Sequence, residues 1–140
     1  MRILGLDIGE KRIGVAVSDE LGLTAQGLLT LERTGMQEDI KRLADIVQDW
    51  SVGKVVAGLP RNMNGTLGPQ AVKVKEFVNC LQDVIGIEVV YQDERLTTAA
   101  AQRTLLEGNV SRRKRKEVVD KIAAAMILQN YLDWRRDKTP

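Results

Sequence analysis

Between Arg2 and Asp19 the chain reads RILGLDIGEKRIGVAVSD, and one carboxylate in that stretch stands where apolar residues belong. From Ile3 to Ile8 both alternations are apolar apart from Gly5 and Asp7, the pattern of a strand buried on both faces in the middle of a sheet. Gly9, Glu10, Lys11 and Arg12 supply turn chemistry, and Ile13 to Val17 opens a second β-rich run, so the pair reads as a hairpin with Asp7 near its turn. A carboxylate buried alone either stays protonated or recruits a cation. The plainer alternative is a turn-capping Asp bonded to the backbone amides of the hairpin. Other acids decide between the two.

The sequence has 140 residues, which fits one domain (1–140) with a real core and leaves little room for a second. No stretch is long and apolar enough for a membrane span, and the first residues lack the regions of a secretory leader. These features predict a cytoplasmic protein with no membrane partner. Cys80 is the only cysteine, so no internal disulfide forms and no cysteine zinc site is assembled. Its neighbours Phe77, Val78 and Leu81 predict a place in the core. There is no histidine at all, which excludes histidine-activated nucleophiles, histidine-ligated zinc and histidine acid–base chemistry. Any catalysis falls to carboxylates, Lys, Tyr or a metal ion held by oxygen ligands.

Net charge is only +2, yet Arg112, Arg113, Lys114, Arg115 and Lys116 carry five positive charges in a row, and subtracting them leaves −3 for the remainder. Such a run is either a solvated loop or a track for a phosphate backbone.

After the hairpin, Thr24 to Leu31 reads as a third strand that completes an antiparallel meander. From Gln37 the period changes, and Ile40, Leu43, Ala44, Ile46, Val47 and Trp50 mark one face of a helix. Lys54 to Leu59 is a short apolar strand ending at Pro60. The loop RNMNGTLG follows, and Pro69 opens a second helix that runs to about Val84. Ile87 to Tyr91 is another strand, with Gln92, Asp93, Glu94 and Arg95 at its C-terminal end. Thr97 or Thr98 caps a third helix through about Leu106, and a last amphipathic helix spans about Lys116 to Arg136. The order β-β-β-α-β-α-β-α-α predicts an α/β fold: a mixed five-stranded sheet, three strands antiparallel and two parallel, with helices on both faces. Helical crossovers return the chain to one end of a sheet, so Asp7, the RNMNGTLG loop and the Asp93–Arg95 segment should meet at the carboxyl ends of parallel strands.

Asp120 falls in the first turn of that predicted last helix, where an acid complements the helix dipole. The three alanines that follow, Ala123 to Ala125, would also let the helix approach the sheet closely and carry Asp120 towards the strand ends. Converged carboxylates share protons or bind divalent cations, and oxygen-only ligation suits Mg²⁺ or Mn²⁺. Two such ions about 4 Å apart can activate a water and stabilise the leaving oxygen of a phosphodiester displacement. Spacing alone does not choose between Asp93 and Glu94. Adjacent strand residues face opposite ways, so one of them reaches the site. Arg61, Asn62 and Arg95, together with the basic run Arg112–Lys116, are the candidates for holding nucleic acid, Arg95 being equally an ion-pair partner for the acids. Aromatic residues are few, and Trp50, Tyr131 and Trp134 fit helical core positions, so backbone and shape recognition outranks base stacking.

The segments LGLDIG with GVAVSD, GLPRNMNGT, DERLTT and DKIAAAMILQNYL, in that order, make the chain resemble the YqgF family, also called RuvX. Its members are described as pre-16S rRNA nucleases or Holliday junction resolvases with an RNase H-like fold. The resemblance covers nearly the whole chain. It implies that Asp7, Glu94 and Asp120 are the catalytic, metal-binding acids, selecting Glu94 over Asp93, and that the protein acts in ribosomal RNA maturation with the ribosome or its precursor as partner. Asn64 stands where the family pattern often has Asp and is not counted as a ligand. Structured RNA is the preferred substrate and a four-way DNA junction the alternative, the latter favouring a homodimer over a monomer. Two further readings remain: a non-catalytic nucleic-acid-binding module, and an ATP-binding domain, because the first hairpin is similar to the phosphate hairpin of actin-like ATPases and sugar kinases.

Overall fold

The computed structural model describes residues 1–60, 67–93 and 112–138. Strands β1 (Arg2–Ile8), β2 (Arg12–Ser18) and β3 (Ala25–Glu32) come first, then helix α1 (Met36–Asp49), β4 (Val52–Leu59), α2 (Pro69–Ile85), β5 (Val89–Asp93) and α3 (Arg112–Lys138). The strands form one sheet in the order β3-β2-β1-β4-β5, so the doubly apolar β1 is central as its sequence requires. β1 is antiparallel to β2 and β2 to β3, whereas β4 runs parallel to β1 and β5 parallel to β4. Crossovers through α1 and α2 place the ends of β1, β4 and β5 on one edge.

Each strand divides its side chains between two cores. Leu4, Leu6, Val15, Val55 and Ala57 pack under α1 and α2 with Leu43, Phe77 and Leu81. The other alternation, Ile3, Ala16 and Val56, meets Ala124, Ile127, Leu128 and Tyr131 of α3. Helices therefore cover both faces, and burial on both sides makes β1 and β4 near-continuous apolar runs.

Three expectations are corrected. Helix α3 begins at Arg112, not near Lys116, because nothing between Arg112 and Asp120 breaks a helix and Lys and Arg are good helix formers. Asp120 thus lies in the third turn, so the helix dipole does not account for it, and Arg112–Lys116 belong to helical backbone, not a loop. Cys80 is exposed. The buried face of α2 is Ala71, Val74, Phe77, Val78 and Leu81, and at 100° per residue Cys80 falls outside that arc despite its apolar neighbours. Trp134 is 55% exposed. Its helical phase is right, but α3 outruns the sheet: Leu128 already sits over Gly5, midway along β1, and six residues further on Trp134 packs against Tyr131, with ring centroids 6.1 Å apart. Tyr131 is in the core, and Trp50 packs half-buried at the end of α1 with the Arg2 guanidinium over its ring.

The helix expected over residues 97–106 and most of the RNMNGTLG loop fall outside the described residues. Among the described residues no helix is long and apolar enough to cross a membrane.

Candidate active site

Asp7 stands opposite Gly14 in the β1–β2 register. Directly opposed residues share a face of the sheet, and the alternation that contains Ile3 and Ala16 makes this the face under α3. A Cβ placed on Gly14 would overlap the backbone carbonyl of Asp120, so α3 lies directly on the sheet backbone at this point. Farther along, a Cβ on Gly5 would come within 2.7 Å of Leu128 Cβ and 3.0 Å of the Ala124 carbonyl. The close approach expected from the alanines of α3 does occur, and glycines on the strands supply the other half of it. The consequence is local and chemical. Asp7, with opposed Cβ positions about 4.5–5.5 Å apart across such a pair, is brought beside the segment of α3 that carries Asp120.

Asp120 is 23% exposed, and its Oδ2 accepts a hydrogen bond of 3.0 Å from Nε of Arg12, itself 25% exposed. Burial pushes the Asp120 carboxyl above the ordinary aspartate value of 3.8, and the hydrogen bond and charge of Arg12 oppose that only in part. A cleft of about 240 Å³ opens here, lined by Gly9, Glu10, Lys11, Arg12 and Asp120. The hairpin turn is closed by the Gly9 amide donating to the Arg12 carbonyl at 2.9 Å. Arg12 was read from sequence only as turn chemistry. The structure makes it the ion-pair partner of a candidate catalytic acid.

At the same end of the sheet but on the edge strand β5, Asp93 pairs in register with Leu59, which belongs to the core under α1 and α2. Val90 packs against the α3 core and Val89 against the opposite one, so the pleat puts Asp93 on the face away from Asp7. Glu94, Arg61, Asn62 and Arg95, and the side chains of Arg112–Lys116, lie outside the described residues. Among the described residues no group of three or more Asp, Glu or Cys side chains gathers as a metal cluster, and of the candidate acids Asp7 and Asp120 are the two that the backbone contact at Gly14 places on one face of the sheet.

One acid was not singled out by the sequence reading. Asp39, taken with the polar face of α1, is completely buried. Its carboxylate accepts from the Arg33 Nε at 3.1 Å, the Arg42 Nη2 at 2.6 Å and the Thr34 amide at 3.1 Å. Arg33 also donates to the Gly9 carbonyl at 3.0 Å, and its amide donates to the Lys11 carbonyl at 2.9 Å. The network thereby pins the outer side of the same hairpin. A larger cleft, about 410 Å³, lies on this side between Ile8, Glu10, Arg33, Asp39 and Lys73, across the sheet from Asp7 and Asp120. The acidic first turn of α1, with Glu38 and Asp39 just after Arg33 and Thr34, was the legible signal.

The described architecture is that of the RNase H-like nucleases of the resolvase type. Thermus thermophilus RuvC, solved in complex with a Holliday junction substrate, superposes with a TM-score of 0.62 over 99% of this chain and 98% of its own at 14% identity. The fowlpox virus Holliday junction resolvase gives 0.58 over 96% and 99% at 15% identity. In sequence, the family described as RuvX, Holliday junction resolvase, matches residues 1–134, and the chain belongs to that family. A Clostridium tetani protein named "Putative pre-16S rRNA nuclease" is 56% identical over 133 residues, 95% of this chain and 96% of its own. A protein of the same name from Clostridioides difficile is also 56% identical, over 96% and 95%.

Proposed function

We propose that this protein is a divalent-metal-dependent endonuclease that hydrolyses phosphodiester bonds, acting in 5′-end processing of pre-16S rRNA. The observation that carries this reading is the seating of the Asp120 backbone on Gly14, the residue that pairs in register with Asp7 near the carboxyl end of β1, although Asp7 and Asp120 are more than a hundred residues apart in sequence. The names of relatives at 56% identity support the RNA substrate.

The donor set fits a hard cation, because the candidate ligands offer carboxylate oxygens and the sequence has no histidine to compete. Asp7, Asp120 and Glu94 are the residues we assign to hold Mg²⁺ or Mn²⁺, in a site for two ions. Asp93 faces the other core, away from Asp7, so of that pair we assign Glu94, the acid that the family resemblance selects. When bound, such ions supply Lewis-acid polarisation of the phosphate and a water activated for attack. The chain contributes the frame: backbone contact at Gly14 fixes how far Asp120 stands from β1, and the Arg33–Gly9 contact fixes the hairpin that bears Asp7. Arg61, Asn62, Arg95 and the Arg112–Lys116 run are the groups we assign to the phosphate backbone. Residues 1–140 act as one domain, as monomer or homodimer, in the cytoplasm beside precursor ribosomal particles.

A four-way DNA junction is the second reading, favoured by the description of the family itself. Incubation of the protein with Mg²⁺ or Mn²⁺ and either a labelled precursor 16S rRNA fragment or a synthetic junction separates the two. RNA cleavage abolished by Asp7→Asn supports the first reading, and junction cleavage alone supports the second. Binding of both substrates without cleavage, unchanged in Asp7→Asn, would instead make the protein a non-catalytic binding module.

A further inference from the structure

We propose that Arg12 is a phosphate-binding residue whose guanidinium competes with a divalent cation for the Asp120 carboxylate, so that loading the cation turns Arg12 towards a substrate phosphodiester. The inference rests on the assignment of Asp120 as a metal ligand. It extends that assignment by giving the hairpin a role in substrate capture.

The contact is made by Nε alone, at 3.0 Å from Oδ2. Among the described residues neither Nη group of Arg12 has a partner. A guanidinium carries five donors in a planar fork and takes carboxylate or phosphate oxygens in pairs, so this one is held to Asp120 with most of its capacity unspent. The cleft at its side is open and lined by the Gly9–Arg12 turn, with the exposed Lys11 adding a second cation. Glu10 also lines the cleft, and its carboxylate accepts from Lys73 at 3.3 Å.

A structural purpose for the pair is weak. Arg12 is already fixed by its β2–β3 pairing with Glu32 and by the Gly9–Arg12 turn, and a partly exposed ion pair contributes at most about 1 kcal/mol. The hairpin would hold without it. Electrostatics gives it another use. A cation on Asp120 and a guanidinium on the same oxygen repel, so occupying the carboxylate with one weakens the other, and the reciprocal nature of linkage makes a phosphate that draws Arg12 away tighten the cation.

Calorimetric titration of the full chain with Mn²⁺, in the absence of nucleic acid, tests the competition. Arg12→Gln should bind Mn²⁺ about fivefold tighter than the unmodified protein, the low end of ordinary coupling because the pair is partly solvated. Arg12→Lys keeps the charge and should stay near the unmodified value, and both variants should melt within a few degrees of it. Binding of a short RNA hairpin, followed with Ca²⁺ and then with EDTA, tests the other half. Ca²⁺ should tighten RNA binding by the unmodified protein and not by Arg12→Gln. Unchanged or weaker Mn²⁺ affinity in Arg12→Gln overturns the inference while the metal site stands. Absence of Mn²⁺ binding by the unmodified protein and by Asp7→Asn alike overturns the metal site itself, and this inference with it.

Discussion

Two aspartates, Asp39 and Asp120, each touch arginine and lie on opposite faces of the same sheet, and they behave as opposites. Asp39 has no exposed surface and answers three donors, two of them guanidiniums. Burial alone would raise its pKa, but the Thr34 amide with Arg33 and Arg42 outweighs it and holds the carboxyl below 3.8. Asp120 keeps a quarter of its surface and one arginine, and there burial wins. An acid that serves the fold is saturated with donors. Asp120 is left under-satisfied, with lone pairs for something else to take, as the proposed metal-binding role requires.

The most direct way to break that contrast is to truncate both acids and measure urea unfolding. Asp39→Ala strands two guanidiniums and should cost about 3 kcal/mol, the lower end for a broken buried pair because Arg33 and Arg42 retain some solvent. Gly14→Ala comes next. The added methyl overlaps the Asp120 carbonyl, and pushing α3 away should cost about 2 kcal/mol and lower cleavage more than it lowers the melting temperature would explain. If Gly14→Ala is neutral in both, the backbone contact does not set the spacing of the acids.

The pH dependence separates the two by sign. Asp39, with its folded pKa depressed, contributes stability that is present above 3.8 and lost as pH falls through the folded value. Asp120, with its folded pKa raised, favours the folded state most below 3.8 and costs stability as pH rises from there through the folded value. The deficit of Asp39→Asn against the unmodified protein should therefore shrink on acidification below pH 3.8, while Asp120→Asn shows no deficit at pH 7. The smallest effect is the most informative. Asp120→Asn should change stability at pH 7 by less than about 1 kcal/mol while cleavage is lost, and a large destabilisation would place Asp120 with Asp39 as a structural acid.

Much of this was legible in the chain. The doubly apolar run around Asp7 requires a central strand, and helix-length crossovers require β4 and β5 to run parallel to it, so the edge where Asp7 lies follows from sequence. The misses share a cause. Cys80 was placed by its neighbours when helical phase decides burial, and Trp134 by its phase when the length of the sheet decides it. Asp39 and Arg12 escaped because their partners lie elsewhere: a charge beside a helix start or in a turn looks solvated until tertiary structure supplies the other half of the pair. Glycine was undervalued too. Gly14 reads as a weak spot in a strand, and only the helix lying on it shows what the missing side chain is for.

The pairing of residue 120 with residue 12, and the seat of Asp120 over Gly14, also set a schedule for the newborn chain. A ribosome makes Asp7 and its hairpin at the outset and Asp120 more than a hundred residues later, so no unfinished translation product carries both acids in one place. Long-range closure of this kind comes late in folding as well. The face of the sheet that carries Asp7 therefore stays uncovered until α3 has left the exit tunnel and settled on it.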